Sequence, residues 1–295
     1  MRILVTNDDG IRAPGIAALA RAAVDSGHDV VVVAPMVDYS GAGAAVGPVH
    51  SRDGIDYESY AMDALEGVPA FGIDGPPALA VILAAVGGFG VRPDLVLSGI
   101  NHGANVGRSA LHSGTVGAAL TGAQFGLRSL AVSIRWGEDP VPWGTPAAIA
   151  GAMIPALVAA PAGTVLNLNV PDLDAARLEG IRRGRLGRAG TIRSAVHDHP
   201  AGTQGGAHPH VTLPPFPSGT LRLDLTPPGD DRELDIETDA GLVANGFACV
   251  TPLVGVRDAR DDAVDRALDA AMAAANAATG LTRGAAPGRS TTAPR

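Results

Sequence analysis

The sequence predicts a three-layer, doubly wound α/β fold with a mostly parallel sheet, a projecting β-hairpin arm and a C-terminal helix. Three observations carry that prediction. In the first half, short apolar runs alternate with helical patterns, as βαβ units require. From about Gly184 glycine and proline become dense, and alternation returns only at Leu221–Leu225, a texture that builds a loop or hairpin rather than a core. From Arg257 to Ala278 an alanine-rich stretch carries its acidic residues early, which suits a helix N-terminus.

Taken in order, strands are expected at Ile3–Thr6, Asp29–Ala34, Leu95–Ser98, Leu130–Ile134 and Val165–Asn169. Helices at Gly15–Ser26, Pro76–Val86, Thr115–Phe125 and Pro146–Ala159 supply the crossovers that parallel strands need. The last of these is read with Thr145 as cap and Pro146 in its first turn. Gly241–Leu253 reads as a strand. The chain therefore divides into a core over 1–183, an arm over 184–234, a strand segment returning to the core over 235–256, and a C-terminal helix with a disordered tail over 257–295.

Composition removes whole classes of chemistry. All 22 basic residues are arginine, so a Walker A lysine, a pyridoxal Schiff base and a lysine nucleophile are excluded. One cysteine, Cys249, builds neither a disulfide nor a thiolate zinc cluster, and its apolar surroundings suit a core strand. The net charge of −8 argues against a nucleic-acid polymer as partner, despite a local basic run from Arg177 to Arg193. Ala147–Ala160, the most apolar stretch, is interrupted by Gly151 and Pro155 and is too short for a bilayer, so no membrane role is expected. The N-terminus enters a strand without the long apolar run of a signal peptide, and a cytoplasmic protein is expected.

In open α/β sheets ligands bind beyond the carboxyl ends of the strands. Three such ends are polar here: Thr6-Asn7-Asp8-Asp9-Gly10, Asp38-Tyr39-Ser40-Gly41 and Ser98-Gly99-Ile100-Asn101. Asp8, Asp9, Ser40 and Asn101 together form an all-oxygen donor set, which suits hard Mg²⁺ or Mn²⁺ better than zinc. Taken singly, each also reads as a turn or cap residue. The run His112-Ser113-Gly114-Thr115-Val116-Gly117 opens a helix, where free N–H groups and the dipole favour a phosphate, although Ser113 or Thr115 can equally be a cap. Asn105, four residues beyond Asn101, adds an amide donor.

Competing motifs fail. No GxGxxG follows the first strand, and the glycines Gly41, Gly43 and Gly47 have the wrong spacing. An aspartyl-phosphate enzyme wants an aspartate two positions before Asp9, where Asn7 stands. No histidine precedes Asp8 as in zinc sugar deacetylases. The tract from His197 to His210 lies in a Gly/Pro setting that reads as an exposed loop.

These residues resemble the SurE family, stationary-phase survival proteins known as metal-dependent 5′-nucleotidases with broader phosphatase activity. The matching segments are MRILVTNDDG from Met1, Ser40-Gly41, LSGINHGANVG from Leu97, SGTVGAA from Ser113, NLNVP from Asn167 and TDAGLVANGFACVTPL from Thr238. The resemblance implies a Rossmann-like core, hydrolysis of nucleoside 5′-monophosphates and of 3′-nucleotides and other phosphate esters, and one divalent cation per subunit. It implies metal ligation by Asp8, Asp9, Ser40 and Asn101, with Asn105, Ser113, Gly114 and Thr115 at the substrate phosphate. The catalytic set is then Asp8, Asp9, Asn105 and Ser113. A homodimer or homotetramer is also implied. Departures include Gly75-Pro76-Pro77-Ala78-Leu79-Ala80-Val81 where the family commonly shows Gly-Thr-Pro-Ala-Asp-Cys-Val, His112 where tyrosine is common, and Ala42-Gly43-Ala44-Ala45 without the usual hydroxyls. The alternative is a nucleotide-binding or scaffold protein on the same fold.

Overall fold

Strands buried on both faces read as continuous apolar runs, and β1 (Arg2–Thr6) and β2 (Asp29–Pro35) are of this kind. The computed structural model describes residues 1–47, 49–51, 54–63, 65–137, 139–188, 193–197, 222–226, 234–258 and 261–279. They fall into two units, Met1–Gly255 and Val256–Arg295. In the first unit, β3 (Tyr57–Ser59), β4 (Ala70–Ile73), β5 (Leu95–His102), β6 (Arg128–Ile134), β7 (Val165–Val170) and β8 (Gly180–Arg183) precede the pair β9 (Arg193–His197) and β10 (Arg222–Thr226), and β11 (Phe247–Leu253) closes the unit.

Nine of these strands form one sheet in the order β3-β4-β2-β1-β5-β6-β7-β11-β8. The six from β4 to β7 are mutually parallel, while β3 and β11 join them antiparallel. Among the parallel strands, chain order runs outward from β1 through β2 to β4 and from β5 through β6 to β7, so the topological switch point lies between β1 and β5.

Helices α1 (Pro14–Asp25), α2 (Pro77–Ala85), α3 (Gly114–Gln124) and α4 (Gly144–Ala159) cover the faces. Alternation along the strands sorts them: Ile3, Val5, Leu95 and Leu97 pack with Ile16, Leu19, Ile154 and Leu157 of α1 and α4. Leu4, Val31 and Val96 pack with Leu79, Val81 and Ala118 of α2 and α3. Every expected strand and helix of the core is found, with ends shifted by at most two residues except in β5, which runs four residues past Ser98 to His102. Thr145 is not the cap of α4: the helix begins earlier, with Trp143 at the cap position and no side-chain cap bond.

The expected strand from Gly241 begins instead as a short helix, α5 (Asp239–Ala244), capped by Thr238, whose hydroxyl accepts from the Gly241 N–H at 3.2 Å. Cys249 is buried in β11. Within the expected arm, β9 and β10 pair antiparallel from Arg193↔Thr226 to His197↔Arg222. The residues between them, with His199, His208 and His210, and the expected tail after Thr279 lie outside the described residues. The second unit contains α6 (Asp262–Thr279), whose Val264, Leu268 and Met272 recur every four residues and are all exposed. Among the described residues no helix is long and apolar enough to cross a membrane.

Candidate metal and phosphate site

The end of β1 is shaped by Asn7, whose side chain donates to Gly10 O at 3.0 Å and accepts from Gly10 N at 3.2 Å. This closed turn leaves Asp8 and Asp9 at the switch point. Asp8 is buried, and the Thr115 hydroxyl at the start of α3 donates to its Oδ1. A Cβ on Gly114 would fall 2.7 Å from Asp8 Cβ and 2.8 Å from its Oδ2, so only glycine lets the helix start come this close. Burial pushes the Asp8 carboxyl up, against the Thr115 hydroxyl and the N–H groups of Thr115 and Gly114, which pull it down. The positive end of α3 is thus already turned on a carboxylate.

Asp9 accepts the His102 N–H at 3.4 Å. Burial, then the charge of Asp8, then that of Asp38 push its carboxyl from 3.8 up to about 7. The charges acting on Asp9 are both negative, and a cation is the group that relieves such a cluster. The donors fit one: two carboxylates supplemented by neutral oxygens. Among the described residues no three His, Cys, Asp or Glu side chains gather, so a cation here would draw its remaining donors from neutral oxygens.

Asn101 reaches this rim through a bulge. The β5–β6 register slips between Ser98 and Asn101, giving β5 one residue more than β6 over the interval. Gly99, at φ +137°, takes up the slip, and a Cβ there would lie 2.2 Å from Val132 O. The Asn101 Nδ2 donates to Gly103 O at 2.7 Å, so Oδ1 is the atom of this amide that a cation would meet. Ser40 is exposed, and its hydroxyl and N–H both engage Asp38 Oδ1, at 2.6 and 2.7 Å. Its loop is tied to the site by Tyr39 N donating to Asp8 O at 2.8 Å and Gly43 N donating to His112 O at 3.0 Å. Against this loop α3 presents Gly117, where a Cβ would meet Gly43 O at 2.2 Å.

Among the residues expected at the phosphate, Gly114 and Thr115 stand against Asp8. Ser113 is the cap of α3, its Oγ accepting from Val116 N at 3.1 Å. Asn105 stands over the ends of β6 and β7. Its N–H donates to Asn169 Oδ1 at 2.7 Å, its Nδ2 donates to Ser133 Oγ at 2.9 Å, and its carbonyl accepts from Asn167 and Asn169. With its backbone N–H and carbonyl both engaged and its side-chain amide held on Ser133, Asn105 loses little freedom on meeting a ligand.

Sequence reasoning passed over Asp38, Ser133, Asn167, Asn169 and Asp239 as site residues. Asp239 is fully buried, and its carboxylate accepts from Gly107 N, Gly187 N and Ala240 N at 2.7, 2.9 and 2.9 Å, fixing the end of the loop that carries Asn105. A sequence signal existed, since Thr-Asp before an apolar run is an N-cap pattern.

The elevated Asp9 gives a pH test. Its folded value lies above its unfolded one, so its contribution to the stability of metal-free protein is full below about pH 4 and is lost as pH rises through about 7. A bound cation requires the ionised form, so binding below pH 7 must expel a proton. Calorimetric metal titrations are expected to show proton release that fades, and affinity that stops rising, above roughly pH 7 to 8. Affinity independent of pH from about 5 to 8 would count against this account.

An open doubly wound α/β protein with paired aspartates at its switch point belongs to the class that binds its ligand beyond the carboxyl ends of the strands. The comparisons narrow this to one family. The family model described as "Survival protein SurE" matches residues 3–192. The chain is 36% identical over 255 residues to the 5′-nucleotidase SurE of Alkalilimnicola ehrlichii, covering 86% of this chain and 89% of that one. It is 35% identical over 255 residues to the 5′/3′-nucleotidase SurE of Salmonella paratyphi A, covering 86% and 90%. The crystal structure of the SurE protein from Aquifex aeolicus superposes with a TM-score of 0.70 at 27% identity, covering 92% of this chain and all of that one. The chain belongs to the SurE family.

Proposed function

We propose that this chain is a divalent-cation-dependent phosphomonoesterase that hydrolyses nucleoside 5′-monophosphates, with 3′-nucleotides and other phosphate esters as further substrates. The observation that carries the reading is the pair Asp8 and Asp9 at the switch point, where the charges acting on Asp9, those of Asp8 and Asp38, are both negative. The names of the relatives, which match over most of both chains, support the substrate class. One Mg²⁺ or Mn²⁺ per subunit, held by Asp8, Asp9, Ser40 and Asn101, would polarise the phosphoryl oxygens and acidify the attacking water.

The side chains supply the rest. Asn105, locked by Asn169 and Ser133, presents its remaining amide hydrogen to a phosphoryl oxygen as charge develops there. The Ser113 hydroxyl keeps its own hydrogen free to donate while its oxygen caps α3. Thr115 and Gly114 hold Asp8 in place and bring the positive helix end to the phosphate. The proton of the attacking water has a carboxylate acceptor in Asp8 or Asp9.

The reading includes a cytoplasmic setting and self-association as a homodimer or homotetramer. A lone two-stranded pair such as β9–β10 is marginally stable in water, and α6 carries an uncovered apolar stripe, so both gain from a second copy. Phosphate release from a nucleotide panel, with Mg²⁺ or Mn²⁺ and after chelation, tests the activity, and light scattering on the same sample tests assembly. Release that stops on chelation and resumes with added cation is expected, from a particle of two or four chains. Undiminished hydrolysis in thoroughly stripped protein would sink the metal mechanism, and a monomer would remove the assembly.

A further inference from the structure

The chain has only two tryptophans, and both meet the same histidine beside Asp9. Trp136 stacks on His102 with ring centroids 4.3 Å apart and planes at 19°, and Trp143 meets His102 edge-on at 5.6 Å. The backbone of that histidine donates to Asp9, and it directly follows Asn101. Gly103 brings the indole closer still. A Cβ there would fall 2.5 Å from Trp136 Nε1 and 3.6 Å from Asn101 Nδ2, so the indole edge and a ligand amide flank one glycine.

Although stacked on one side, Trp136 is 69% exposed, so a large part of its ring is uncovered. It forms a wall of a cleft of about 520 Å³ at the carboxyl ends of β6 and β7, shared with Arg135, Pro171 and Asp172. That volume lies within the roughly 300–1,000 Å³ of small-molecule sites. An uncovered indole beside the strand end that carries Asn101 and His102 is placed for the flat group that a nucleotide carries on the far side of its sugar. Stacking on an aromatic face is tolerant of base identity but grows with shared area, so a bicyclic base gains more than a monocyclic one.

We propose that Trp136, seated on His102, is the stacking platform for the substrate's nucleobase and makes purine nucleotides better substrates than pyrimidine ones. This rests on the nucleotidase reading above. It makes Trp136 a specificity residue acting on binding, with His102 as its positioning partner.

The test compares adenosine 5′-monophosphate with ribose 5-phosphate, which carries the phosphate and sugar without a base. Trp136→Ala is expected to lower the ratio of kcat/KM for the nucleotide over the sugar phosphate on the order of tenfold, the scale of a lost base–aromatic stack, through KM rather than kcat. Trp136→Phe should restore part of the ratio. In Trp143→Phe protein, where Trp136 is the sole indole, the nucleotide should change the emission and ribose 5-phosphate should not. An unchanged ratio in Trp136→Ala, or equal emission responses to both ligands, overturns the platform. Failure of the wild-type protein to release phosphate from any nucleotide with cation present would instead defeat the nucleotidase reading, and the emission experiment still decides whether Trp136 receives a base.

Discussion

Asp9→Asn is expected to move activity and metal-free stability in opposite directions. The change keeps the size of the side chain and an oxygen for the His102 N–H, but removes a charge from the cation site. Metal affinity should fall by more than the roughly 10–100-fold typical of losing an outer-sphere partner, and turnover should fall with it. Above about pH 7 the metal-free variant should nevertheless melt higher than metal-free wild type, because it no longer ionises a carboxyl that burial, Asp8 and Asp38 disfavour. Metal titration, melting curves and phosphate release at roughly pH 8 read all three effects. Normal metal affinity and turnover in the folded variant would remove Asp9 from the site.

The second large effect comes from a single methyl group. Gly114→Ala places a Cβ within 2.7 to 2.8 Å of the Asp8 side chain, so Asp8 or the start of α3 must shift. Overpacking of this kind costs about 1–3 kcal/mol, which a folded domain survives, but a displacement near 1 Å at a reacting centre is worth about 10²-fold in rate. Gly144 offers an internal control, since it holds the same first position in α4 with nothing within 4 Å of its Cβ. Gly144→Ala should stabilise by roughly 0.4–1 kcal/mol. If Gly114→Ala binds metal and turns over like the Gly144→Ala protein, the close approach of α3 to Asp8 has no functional weight.

The core was legible because its elements are long and punctuated: five strands and four helices follow from apolar runs and crossover spacing. Elements without those signals escaped. Only three exposed residues make up β3 and only four make up β4, and both owe their form to neighbours in the sheet. In α5 six residues run directly into the apolar β11, so Leu242 and Val243 read as part of the strand. At the site, Asp8, Asp9, Ser40 and Asn101 stood out because ligands collect beyond strand ends. Long-range pairings left no local trace. Thr115 and Asp8 are 107 positions apart, and Gly107 and Asp239 are 132 apart. Thr115 reads from sequence as a phosphate donor, whereas its hydroxyl is engaged with a metal-ligand candidate. Trp136 reads as nothing until His102 is placed beneath it.

The one-residue slip at Gly99 acts on the strand as a change of phase. Before it, Leu95 and Leu97 face α1 and α4, while Val96 faces α2 and α3. By simple alternation residue 100 would follow Val96, yet Ile100 packs with Leu95 and Leu97. Parity has been inverted, so Asn101 falls in the phase of Val96, on the side where Thr115 meets Asp8. Chain length, as much as the choice of asparagine, therefore decides whether position 101 can be a ligand. Removing one residue between Ser98 and Asn101 would leave every donor group in the sequence and turn one of them to the wrong side of the sheet.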